Sequence, residues 1–217
     1  MLDESTIILM KRLLFAALFF CCALTMSAQD EVIRVNYSGA KPTISDFARA
    51  YLFAPLENVE GEDLWVDEAT NAVKVAWERY QKDIPQPEGV TLSIDQKNGF
   101  VVYESKYQDD VVRVEMCYWN EADGQHKLFA WNVGLYRSGK KSMGQSDGIS
   151  FYRYDNASKS MRLCEDPGFE QEFFSEDGAL VSYTLPQSGK DIMVTYWYED
   201  GTRRQKTLKW DGQLFSF

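Results

Sequence analysis

Residues Asp110 to Asn132 read DVVRVEMCYWNEADGQHKLFAWN. Val112, Val114, Met116 and Tyr118 alternate with Arg113, Glu115, Cys117 and Trp119, the period of two that sends successive side chains to opposite faces of a strand. Asp123-Gly124 then supplies the left-handed residue that a tight reversal needs. The stretch predicts a hairpin with strands near 110–119 and 126–132. Working outward, Asn98-Gly99, Asp147-Gly148, Asp177-Gly178, Asp200-Gly201 and Asp211-Gly212 punctuate further runs rich in Val, Ile, Tyr, Phe and Trp. They predict strands near 90–95, 99–105, 148–154, 160–164, 178–185, 190–198 and 204–210, with short closing pieces at 134–136 and 213–216.

Upstream of Val90 the period is helical. In PTISDFARAYLFAP, Ile44, Phe47, Ala48, Tyr51 and Leu52 share one face, with Thr43 as N-cap, Asp46 three residues on and Pro55 closing the segment. In DEATNAVKVAWERYQKDIP, Val73, Ala76, Trp77 and Tyr80 form an apolar stripe, Glu78 and Lys82 stand at the i,i+4 spacing, and Pro85 stops the helix. An acidic connector, ENVEGEDLWVDE, joins the two. The fold class expected is α+β, mainly β: two N-terminal helices packed on an antiparallel β meander. Residues 30–217 would be a single domain, helical over 30–88 and a meander over 89–217.

CYWNEADGQHKLFAWN (117–132) also has a counterpart in TYWYEDGTRRQKTLKWD (195–211). Val102 matches Val181, Tyr118 matches Tyr196, Trp119 matches Trp197 and Trp131 matches Trp210, at a spacing of roughly eighty residues. The expectation is a duplicated unit of three to four strands. In the second copy Ile192, Val194, Tyr196 and Tyr198 share a face, opposite Met193, Thr195 and Trp197. In both copies, then, the tyrosine joins the apolar face and the tryptophan the more polar one.

The first thirty residues address the chain. Lys11 and Arg12 precede an apolar run from Leu13 to about Met26, then Ser27 and Ala28, which reads as a secretory signal peptide over 1–29 cleaved near Ser27 to Gln29, with Met10 as the expected start. The run is shorter than the roughly 20 residues a bilayer-spanning helix needs. Cys21 and Cys22 raise a lipoprotein alternative, against which Phe19 and Phe20 stand where lipidation signals want small residues. The net charge of −10 argues against nucleic acid and anionic lipid surfaces. With 45% hydrophobic residues the chain can bury a core.

Trp119 and Trp197 are the candidate ligand platforms, large and rigid with a polar edge, and Glu115 and Arg113 share the Trp119 face. Against this stands the reading that another layer covers that face and the rings are core. Cys117 and Cys164 are candidates for a disulfide, which would contribute roughly 4 kcal/mol in the chain-entropy model. His126 is the sole histidine, read as an exposed hairpin residue, and with it no metal site or serine triad is expected. The acidic connector matches no EF-hand loop. No phosphate loop, dinucleotide fingerprint or CxxC is present, so no cofactor and no catalytic residue is assigned. Asn156-Ala157-Ser158 is formally a glycosylation sequon.

The leader, with MKRLLF from Met10 and SAQ before Asp30, resembles those of exported proteins of Bacteroidales-type bacteria. SFYRYDNASK and TLKWDGQLF are similar in style to secreted proteins of unknown function from that group. The resemblance implies a periplasmic or cell-surface setting and transfers no catalytic residues. A comparison with β-lactamase-inhibitor-like tandem folds is set aside, because residues 137–177 lack the helices each repeat there carries. The expected function is a non-catalytic binding or assembly domain with a protein or glycan partner. The alternatives are a carbohydrate-binding module, a carboxylate-dependent glycoside hydrolase, or a surface-assembly component joined through strand edges.

Overall fold

Turn residues with positive φ, among them Gly99, Gly124, Gly139, Gly178 and Gly201, stand between consecutive strands. The computed structural model describes residues 32–54, 64–144 and 147–217, with backbone alone for 64–67. The leader, its cleavage point, Cys21 and Cys22, the helix-closing Pro55 and residues 57–63 of the acidic connector lie outside the described residues. Val32–Phe217 forms one compact unit.

The element order is β1 (Ile33–Arg34), α1 (Ile44–Leu52), α2 (Leu64–Gln81), β2 (Val90–Asp95), β3 (Phe100–Tyr107), β4 (Asp110–Asn120), β5 (His126–Arg137), β6 (Lys140–Ser142), β7 (Gly148–Asp155), β8 (Ser160–Leu163), β9 (Leu180–Thr184), β10 (Ile192–Trp197), β11 (Arg203–Trp210) and β12 (Phe215–Ser216). The expected pieces at 126–132 and 134–136 are one strand, β5. Its first two thirds pair with β7 and its last three residues pair with β6.

All strand pairs are antiparallel, but they build two sheets rather than one meander. The first runs β1-β8-β7-β5-β4-β3-β2 and the second β12-β11-β10-β9. The ladder of the first sheet closes with the Cys164 N–H on the Phe151 carbonyl at 2.8 Å. Residues 165–179 then carry the chain away, passing Pro167, whose carbonyl accepts the Phe215 N–H at 2.8 Å.

Alternation divides the first sheet into two buried faces. On one, Val101, Tyr103, Val114, Met116, Phe129 and Trp131 join Phe47 and Leu52 of α1 and Val73, Ala76 and Trp77 of α2 in one cluster. The Phe47 ring lies 5.2 Å from Tyr118 and 5.1 Å from Tyr154. The Thr43 backbone N–H and hydroxyl both donate to Asp46 at 2.8 Å, which starts α1 as the sequence indicates. Tyr80, placed on the apolar stripe of α2, is 53% exposed. It falls in the last turn, one turn past the buried Trp77. On the other face Phe100, Cys117, Trp119, Leu128, Ala130 and Phe151 meet Val181, Tyr183, Ile192, Val194, Tyr196 and Leu208 of the second sheet.

Candidate functional site

Arg113 and Glu115 sit on the β4 face that the alternation marks as polar. The second sheet covers that face, and Glu115 is 1% exposed. Its Oε1 accepts Arg113 Nε–H at 2.8 Å; its Oε2 accepts Asn132 Nδ2–H at 3.2 Å and the Leu185 backbone N–H at 2.9 Å. Asn132 Nδ2 donates in addition to the Tyr183 carbonyl at 2.9 Å. Arg113, half-buried, also reaches Glu104 at 2.5 Å. Burial lowers the arginine pKa, but the Glu115 and Glu104 carboxylates outweigh it and the net shift is upward. A carboxylate whose oxygens hold three donors from two sheets is a structural fastening. Glu115 is therefore a buried link between the two sheets and not part of an exposed ligand surface.

Trp119 is 4% exposed. Its Nε1–H donates to the Lys190 carbonyl at 2.7 Å, and its ring packs 5.1 Å from Phe215 and 6.0 Å from Trp210. As a ligand platform it is ruled out by its covering sheet. Trp197 differs because β10 turns Ile192, Val194 and Tyr196 inward. Its side chain thus falls on the outer face, half-buried. The indole Nε1–H donates to Ser182 Oγ at 2.8 Å, the Arg203 guanidinium lies over the ring at 5.0 Å, and Tyr136 stands edge-on at 6.2 Å.

This fixed indole lines a groove of about 550 Å³ between the 138–143 segment and the β10–β11 turn. Met143 and Phe174, 60% and 51% exposed, flank it with Tyr198, Lys140 and Arg203. Glu199 is the one carboxylate among the described residues that line it. Such a surface can clamp an apolar or planar group. Beneath it lies a pair the sequence reading missed. Lys141 Nζ and Asp147 Oδ2 form a buried salt bridge, and Asp147 also accepts the Leu135 N–H at 2.8 Å and the Gly144 N–H at 2.7 Å. Burial pulls the Lys141 pKa down against the pull of Asp147. Two charges six residues apart in a Gly- and Ser-rich stretch gave no periodic signal.

Cys117 and Cys164 are both free. The register explains it: Cys117 pairs with Ala130, Ala130 with Phe151, and Cys164 follows beside Phe151. Three strand spacings put the two about 14 Å apart, twice the reach of a disulfide. His126 is partly buried rather than fully exposed, its Nδ1 2.5 Å from Asp123 Oδ2. Among the described residues, Glu121, Asp123 and His126 bring their ligand atoms within 4.8 Å of one another. Each already has an internal partner, since Glu121 holds Arg153 Nε at 2.8 Å. No protein-family model, curated protein or solved structure matches the chain.

Proposed function

We propose that this chain is an exported, non-catalytic binding domain that captures a protein partner in the Trp197 groove. The observation that carries the reading is the Trp197 indole itself, held by Ser182 at 2.8 Å and open to a groove of about 550 Å³. Trp, Tyr, Phe, Met and Arg line that groove, the residue types enriched where protein partners bury surface. The internally satisfied carboxylates Glu115, Asp147 and Glu121 support a non-catalytic role, because none is left to trade protons with a substrate. Export rests on the leader, which suits a periplasmic or cell-surface setting in a Bacteroidales-type host.

The same proposal includes the finer architecture: two N-terminal helices on an antiparallel body whose β3–β5 and β9–β11 meanders descend from one duplicated unit. Tyr196-Trp197 ends the middle strand β10 and Tyr118-Trp119 stands one residue before the end of the middle strand β4, in support of this. The two copies now use opposite faces, Trp119 and Tyr196 being the members buried between the sheets.

The test places a photo-crosslinking residue at Lys140 in the groove and, separately, at the exposed Tyr80 of α2. A partner protein cross-linked from Lys140 and lost on Trp197→Ala supports the reading. A glycan-array signal lost on the same substitution replaces it with the carbohydrate-binding alternative, and no groove-dependent signal in either assay refutes both.

A further inference from the structure

Lys127 shares the helix-covered face of β5 with Phe129 and Trp131, at the end of the sheet where the chain enters α1. There Tyr37, Lys41 and Pro42 from the segment before α1, His126 and Lys127 of β5, and Asn156 of the β7–β8 turn line a hollow of about 400 Å³. It shares no residue with the Trp197 groove. Four charged side chains are buried among the described residues, and three of them have an opposite charge: Glu115 has Arg113, Glu121 has Arg153 and Lys141 has Asp147. Lys127, 8% exposed, has none among the described residues. Its Nζ donates to Oδ1 of its cross-strand neighbour Asn120 and lies 5.3 Å over the Tyr118 ring, both neutral groups. Burial, and after it the like charge of Lys41, lowers the Lys127 pKa. In the adjoining turns Asp123 holds the His126 ring and Asp155 accepts the N–H groups of Ala157 and Ser158. Among the described residues no carboxylate lines the hollow, although the chain has 33 acidic residues against 23 basic ones. A buried charge is ordinarily paired, because leaving it uncompensated is costly.

We propose that this hollow binds a small molecule through a sulfate or phosphate group seated between Lys127 and Lys41. An oxyanion there supplies the opposite charge that Lys127 lacks and offsets its repulsion by Lys41. The hollow is larger than a bare oxyanion needs, so the Tyr37 ring and Pro42 are left to flank the body of an ester, such as a sulfated or phosphorylated sugar. Neither the leader nor the Trp197 groove enters this assignment.

The test titrates glucose 6-sulfate, glucose 6-phosphate and glucose into the purified protein by isothermal calorimetry at low salt. Saturable binding of one or both esters is expected, with glucose at least about tenfold weaker, and the tighter ester identifies the anion. Lys127→Met keeps the apolar stem and removes the charge. It should weaken the ester by at least about tenfold and melt no earlier than the parent, since it removes an unpaired buried charge. Lys41→Ser, at an exposed position, should weaken the ester by about three- to tenfold, and Lys41→Arg should restore it. If Lys127→Met melts early, the two Lys41 variants carry the test. Trp197→Ala should leave ester binding unchanged. No saturable binding of either ester, or binding that survives both Lys127→Met and Lys41→Ser, overturns the site, and loss of binding in Trp197→Ala overturns it in favour of the groove. Glucose binding as tightly as its esters overturns the assigned chemistry.

Discussion

Glu115 Oε2 accepts the backbone N–H of Leu185 at 2.9 Å, so a mid-strand carboxylate of the first sheet holds the end of β9 in the second. Asn132, its cross-strand neighbour, fastens the Tyr183 carbonyl two residues earlier. Removing one member of a buried charged network strands the others, at about 3–5 kcal/mol. Glu115→Ala is expected to lose that much in urea denaturation. Glu115→Gln keeps the shape but sets an amide N–H₂ against existing donors, costing about 1–3 kcal/mol. A pair of variants as stable as the parent would show that the sheets are held by apolar packing alone.

The two tryptophans should separate cleanly in solution. Trp119→Phe loses the bond to Lys190 and contact with Phe215, a loss of about 1–3 kcal/mol, and removes an emission component that acrylamide does not quench. Trp197→Phe gives up the Ser182 bond and the Arg203 contact at a half-buried site. Its cost is about 1 kcal/mol, and the component it removes is quenchable. Identical quenching of the two would contradict the covering of Trp119 by the second sheet.

That contrast marks the limit of what the residues disclosed in advance. Alternation in 110–119 says which side chains share a face, and the structure keeps that division: Val114 and Met116 on one side, Cys117 and Trp119 on the other. It does not say what covers a face, so Trp119 reads as a candidate platform when a second sheet buries it. β2 and α1 were legible almost to the residue because a full period and a turn or cap bound each. The two residues of β1 and three of β6 are too short to show any period. The Trp197 groove was legible in its one ring, whereas Met143 and Phe174 come from segments whose approach to it is a matter of tertiary packing.

Thiol chemistry tests the register between β4 and the end of β8. Burial pushes the Cys117 thiol well above its ordinary pKa, and burial raises Cys164 less far. Thiolate is the reacting form. Native protein should therefore leave Cys117 unlabelled by a thiol reagent while half-buried Cys164 reacts slowly, and denaturant should release both. A peptide linking Cys117 to Cys164 in a non-reducing digest would refute the pairing order.

Asp123 offers a pH prediction. The hydrogen bond with the His126 ring, with further bonds from the backbone N–H groups of His126 and Gln125, holds its pKa at about 2 against an ordinary 3.8. A folded-state pKa below the unfolded one contributes stability that is present above the unfolded value and lost as pH falls through the folded one. The window is thus from about 4 down to about 2. At this exposed turn the effect is small and is best read on the carboxyl resonance itself. Its NMR titration midpoint should lie near 2 and move up toward the ordinary range in His126→Ala. An unmoved midpoint would mean that the backbone donors alone hold the charge.

Gly168 tests the crossing that ties the linking segment to the second sheet. Its φ is +101°, and a Cβ there would stand 2.4 Å from the Phe215 carbonyl oxygen and 2.7 Å from its nitrogen. Those backbone atoms cannot move freely, because the Phe215 N–H bonds the Pro167 carbonyl and the Phe215 ring packs 5.1 Å from Trp119 and 4.8 Å from Trp210. Gly124 is the internal control: its φ is +68°, but nothing lies within 4 Å of its Cβ position. Gly124→Ala should cost about 1 kcal/mol from the left-handed backbone alone. Gly168→Ala adds the clash to the strain, exceeds about 3 kcal/mol, and shifts the Trp119 emission because β12 must retreat. Equal melting temperatures for the two variants would place β12 away from residue 168, and would remove the physical reason for a glycine at that position.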